Sequence, residues 1–90
     1  MIVRIGDART RNVYERGFTE GIPVVVCRLG RRKLGILVAT HSWSDVSVVG
    51  EVGTWRNLPG RFGIRVHGKW FLIFQWLDGY GPHDIVIKRR

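Results

Sequence analysis

Ninety residues suffice for one domain and not for two, so every element must share a single hydrophobic core. With 44% hydrophobic and 24% charged residues and only three prolines, the composition excludes general disorder. Fifteen Lys and Arg against seven Asp and Glu leave a net charge of +8, and twelve of the fifteen are arginine, whose planar fork grips phosphate at two points and stacks on bases. That balance points to a polyanionic partner, nucleic acid before an acidic protein.

Met1 to Ile5 is short and β-branched and ends at Gly6-Asp7, which predicts a first strand. Asp7 is placed to cap a helix from Ala8 to Arg16, about two turns long, with an apolar edge at Val13 and Tyr14 and a stop at Gly17. Pro23 suits the first turn of a second helix, along which Val26, Leu29, Lys33, Leu34, Ile36 and Leu37 repeat with a rough 3.6-residue period. The Val24-Val25-Val26 run also suits a strand, and Gly30 and Gly35 each weaken a helix by about 1 kcal/mol. From His41 to Gly60 the Ser, Gly and Asp punctuation leaves no sustained period, so a loop and one irregular strand around Val48 to Trp55 are expected.

The pattern sharpens from Arg61: RFGIRV, a turn at His67-Gly68, KWFLIFQWL, a turn through Asp78 to Gly81, then HDIVIK, three consecutive antiparallel strands. Along the middle strand Trp70, Leu72, Phe74 and Trp76 share one face, and Phe71, Ile73, Gln75 and Leu77 the other. Both faces are largely apolar, which places this strand in the centre of a sheet, with helices on one side and side chains or a ligand on part of the other. The predicted fold class is α+β: a single small domain over residues 1–90, two N-terminal helices packed on a curved, mainly antiparallel sheet.

The lone Cys27 excludes an internal disulfide and reads as a small buried apolar side chain. No leader pattern and no apolar run near the roughly 20 residues of a membrane span appear, so a soluble, cytoplasmic protein without membrane contact is expected. His41, His67 and His83 have no ligand-like spacing, and no phosphate-cradle or nucleophile-elbow glycine pattern occurs, so neither a metal nor a cofactor is expected.

The order of these pieces resembles the HigB branch of the RelE-type toxins of bacterial toxin–antitoxin pairs. The likeness runs from MIVRI through NVYERGFTEGIP and RRKLGILVAT to IRVHGKWFLIFQWLDGYGPHDIVI, nearly the whole chain, and is most specific in the last segment. There a hydrophobic strand, a turn at His67-Gly68, a strand led by Trp70, an Asp78-Gly79 turn and a final strand opened by Asp84-Ile85 follow the family pattern. The resemblance implies a type II toxin, a metal-independent endoribonuclease that cleaves mRNA on the ribosome and is neutralised by a cognate HigA-like helix-turn-helix antitoxin. Family members commonly carry arginine where this chain has Phe71 and Gln75, and end in an acidic residue, tyrosine and histidine where it has Arg89 and Arg90 at the first two positions. A catalytically impaired relative that only binds protein or RNA, and a ParE-like inhibitor of DNA gyrase, are the alternatives.

Cleavage of RNA by its own 2′-hydroxyl needs a base, an acid and cations for the charge on phosphate. His67, an imidazole in an exposed turn, is the acid–base candidate, although a histidine there also simply tolerates turn conformations. Arg65, Lys69, Arg89 and Arg90 complete the candidate catalytic set, with Arg61 and Lys88 beside them as phosphate contacts. Arg28, Arg31, Arg32 and Lys33 form a second nucleic-acid-binding candidate on the second helix, where a solubilising polar face is the plainer reading. Glu51 is a weaker candidate, aligned with a family histidine or glutamate, and His83 and Tyr80 read as loop residues. Trp43 and Trp55, in polar stretches, are expected to be exposed and available to a base or a protein partner.

Overall fold

The computed structural model describes residues 4–56 and 59–90. Asp7 begins helix α1 (Ala8–Arg16), its carboxylate accepting from the Thr10 amide at 2.8 Å, and Gly17, at φ +81°, ends it with its N–H on the Val13 carbonyl. Pro23 stands at the N-cap of α2 (Val24–Val38), which settles the valine run as helix. The buried stripe of α2 is Val26, Cys27, Gly30, Leu34 and Leu37, while Ile36 is exposed. The predicted irregular strand is shorter than Val48 to Trp55: Trp43–Val48 forms a 3₁₀ helix, and only Val52–Thr54 is strand β1.

The three predicted antiparallel strands are β2 (Arg61–His67), β3 (Trp70–Leu77) and β4 (Gly81–Arg89), in a sheet of order β1-β2-β3-β4. The chain is α+β. Its core lies between α2 and one sheet face, where Val26, Leu34 and Leu37 pack with Ile64, Leu72 and Phe74. Burying such aliphatic side chains stabilises by about 1.5–3 kcal/mol each, which holds α2 on the sheet despite its two glycines. Because side chains alternate, the partners of that core on each strand point to the opposite face, which no helix covers.

Two bulges interrupt the alternation. On β2, Arg65 pairs with Phe71 but His67 pairs with Trp70, so Val66 is an extra residue. On β4, Val86 pairs with Ile73 and His83 with Gln75, and Asp84, at φ +51°, sits in the bulge; aspartate is among the few residues that enter this region readily.

Of the predicted first strand, Met1 to Val3 lie outside the described residues, and Ile5 makes an isolated parallel bridge to Ile85. Gly6 donates to the Ile85 carbonyl and Ile85 to the Arg4 carbonyl. Where α1 then turns away, the buried Thr10 hydroxyl takes over and accepts from the Ile87 amide at 2.8 Å. The free edge of β4 is thus closed by backbone and by one side chain. Thr10→Val should cost about 1–3 kcal/mol in urea unfolding, because it leaves a buried N–H without an acceptor, and Thr10→Ser should recover most of the loss.

Candidate nucleic-acid interface

The open face is built row by row across paired strands, since direct partners in an antiparallel sheet point the same way. One row is Arg65, Phe71 and Lys88; the next is Gly63, Ile73 and Val86; the third is Arg61, Gln75 and His83. Ile73 is only 2% exposed although no helix lies above it, because the Trp55 ring covers this part of the sheet. Gly63 makes that possible: a Cβ there would lie 3.1 Å from Trp55 Cε3. Trp55, expected to be exposed, is therefore 6% exposed, whereas Trp43 is open and packs edge-on against Phe62 and Trp76.

Beside Trp55 the face sinks into a hollow of about 320 Å³, whose lining includes Glu51, Trp55, Arg56, Arg65, Phe71 and Arg90. A second hollow adjoins it, sharing Arg65, Phe71 and Arg90 and adding Gly68 and Lys69. The Trp55 and Phe71 rings are 5.2 Å apart. The Arg56 guanidinium lies 5.4 Å from the first ring and that of Arg90 6.0 Å from the second, within cation–π reach. Arg65 Nε donates to the Gly68 carbonyl at 2.9 Å, and the Arg90 amide to the Lys69 carbonyl at 2.7 Å, so the β2–β3 turn and the end of β4 hold each other in place.

Among the described residues the only carboxylate within 4.0 Å of a basic side chain is that of Asp84, beside the His83 ring, so these cations have no carboxylate partner at ion-pair distance. Cations over aromatic rings form a surface suited to a phosphate backbone with bases stacked against it. Among the described residues no three His, Cys, Asp or Glu side chains gather as metal ligands would, and no helix is long and apolar enough to cross a membrane.

Of the predicted site residues, Arg65, Lys69 and Arg90 meet at the hollows, and Arg61 and Lys88 lie on the same face. His67 does not join them. It is the last residue of β2 rather than a turn residue, the turn being Gly68-Lys69, and the bulge at Val66 pairs it with Trp70, whose ring packs against the core on the helix side. Arg89 pairs with Trp70 as well and falls on that same side, away from Arg90.

The α2 cluster divides. Arg31 donates to the Tyr14 and Glu15 carbonyls at 3.3 and 3.4 Å, where the negative end of the α1 dipole favours a cation. Lys33 Nζ donates to the Val49 carbonyl at 2.8 Å. Both therefore join elements within the fold, and Arg28 and Arg32 remain exposed on α2, in the layer opposite the hollows. Arg56 was not among the sequence candidates, and Trp55 was one only as an exposed ring, since both lie in a stretch without period; the alternation of Glu51, Gly53 and Trp55 through β1 is the signal that would have placed them.

No family model matches the chain, and no curated protein matches it.

Gly63→Val should push Trp55 off the sheet, shifting tryptophan emission to the red and costing about 1–3 kcal/mol in urea unfolding. The control is Gly53→Ala, which meets open space on the same face and should stay within about 0.5 kcal/mol of the parent.

Proposed function

We propose that the protein is a HigB-like toxin whose open sheet face binds single-stranded mRNA on the ribosome and cleaves it, until a cognate helix-turn-helix antitoxin neutralises it. The observation that carries this reading is the convergence of Arg56, Arg65, Lys69 and Arg90 on the rings of Trp55 and Phe71, beside one carboxylate, Glu51. The cations hold the scissile phosphate, and the half-buried Phe71 ring takes a flanking base. Glu51 accepts the proton of the 2′-hydroxyl as its oxygen attacks phosphorus, and the arginines stabilise the charge that develops there. The bond to the 5′-oxygen breaks, that oxygen takes up a proton, and a 2′,3′-cyclic phosphate remains. In this reading the base is Glu51 rather than His67, whose side of the sheet is the wrong one.

Glu51→Gln should lower cleavage of ribosome-bound mRNA by about 100-fold or more while RNA binding persists. His67→Ala should leave the rate unchanged. An unaltered rate in the Glu51 variant would contradict the assignment. Phe71 and Gln75, standing where the resemblance implies arginines, favour a second reading of binding without cleavage. A wild-type protein that holds mRNA and yields no fragments decides for that second reading. In either case, Arg65→Ala and Arg90→Ala should each reduce the slope of log affinity against log salt for an RNA strand by about 0.7, the share of one phosphate contact.

A further inference from the structure

Glu51 is exposed, and among the described residues its carboxylate has no basic side chain at ion-pair distance, so its place beside the hollow is set by its backbone. That backbone lies between two anchors. On the C-terminal side β1 pairs Val52 with Ile64, Gly53 with Gly63 and Thr54 with Phe62, and the Trp55 amide donates to the Arg61 carbonyl at 3.0 Å. Val52 packs on the core with its partner Ile64, and Glu51, one residue earlier, falls by alternation on the open face, where it lines the hollow. On the N-terminal side the 3₁₀ helix ends at Val49, whose amide donates to the Val46 carbonyl, and both valines are buried in the core. The chain thus passes from the helix layer to the open face within two residues, and Glu51 is the residue that emerges.

Lys33 of α2 reaches this crossing. Its Nζ donates to the Val49 carbonyl at 2.8 Å, and among the described residues this is the only side-chain hydrogen bond joining α2 to residues 43–56. The acceptor is a carbonyl at the C-terminal end of the 3₁₀ helix, where partial negative charge favours a cation. A charge-assisted bond of this kind is about twice as strong as a neutral one. Gly50 lets the pieces close up, since a Cβ there would lie 2.9 Å from Ile64 Cγ2 and 3.3 Å from Lys33 Nζ. The step from Val49 to Glu51 is therefore wedged between a core side chain of β2 and the ammonium. Leu34 and Leu37, fully buried, fix α2 itself on the sheet, so Lys33 holds the crossing from a close-packed base.

Resting on the assignment of Glu51 as the base, we infer that Lys33 is a positioning residue for cleavage: it clamps Val49 and so holds the Glu51 carboxylate against the hollow, while touching neither the RNA nor the reacting atoms. A base acts only within hydrogen-bond reach of the proton it takes, and a misplacement of about 1 Å costs on the order of 100-fold in rate. The contacts that bind the strand come from Arg65, Lys69, Phe71 and Arg90, which the clamp does not touch. Loss of the clamp therefore slows the chemical step and spares binding. One lysine of the basic helix serves the opposite face of the sheet through the fold, not by meeting the polyanion.

The test is steady-state cleavage of ribosome-bound mRNA by the full chain. Lys33→Met, which keeps the stem without the donor, should lower kcat by about 10- to 100-fold with KM within about twofold of wild type. Lys33→Arg, which keeps a charged donor, should recover most of the rate, and Gly50→Ala, which forces the same step apart from the other side, should lower kcat as well. Placed on Glu51→Gln, Lys33→Met should cost nothing further, because residues that act as a unit are not additive. Tryptophan emission should not move, since Trp55 is anchored by β2 beyond the break. A wild-type rate in Lys33→Met, a loss carried by KM, full additivity with Glu51→Gln, or a red-shifted emission that reports melting of the whole segment would each overturn the positioning role and leave the Glu51 assignment standing. A wild type that yields no fragments, or Glu51→Gln as fast as wild type, would overturn both.

Discussion

The two-residue period of the β-strand is the constraint on which the rest depends. Each of β2, β3 and β4 must give one face to the core beneath α2, and whatever lies between the core positions is sent to the other side. On β3 the residues sent there are Phe71, Ile73, Gln75 and Leu77, and on β2 they are Arg61, Gly63 and Arg65. The hydrophobic demand that builds the fold thus also assembles a face of cations, rings and one amide, with no separate element devoted to it. The Trp55 ring then covers only one part of it.

The two bulges change where that period delivers its side chains. The extra residue at Val66 sends His67 to the helix side and leaves Arg65 and Lys69 at the hollows. The bulge at Asp84 keeps Ile85 and Ile87 in the core while His83 stays abreast of Gln75. Each supplies the sheet with a local twist as well as a change of address. The hollows at one end and the polar row at the other therefore both owe their composition to single inserted residues.

Much of the fold was legible because its signals are local. Asp7, Gly17 and Pro23 mark helix ends by capping chemistry, and the alternation from Arg61 to Lys88 marks the meander. The candidate site was legible only in part. Arg65, Lys69 and Arg90 could be named from their strand context, but a bulge has no dependable sequence mark, and it removed His67 from their company, while alternation alone sends Arg89 to the other face. Arg31 and Lys33 reach carbonyls of segments 16 residues or more away in the chain, contacts that no periodicity reports. Trp55 required the pairing of β1 with β2, since only the missing side chain of Gly63 gives its ring a place.

The central claim is that the helix-free face, and not the basic surface of α2, receives the polyanion. Backbone amide shifts followed by NMR during titration with a single-stranded RNA oligonucleotide read this most directly. The account predicts perturbations at Gly53, Gly63, Phe71 and Arg90, with Arg28 and Arg32 unmoved. Perturbations centred on Arg28 and Arg32, with the sheet residues silent, would contradict it.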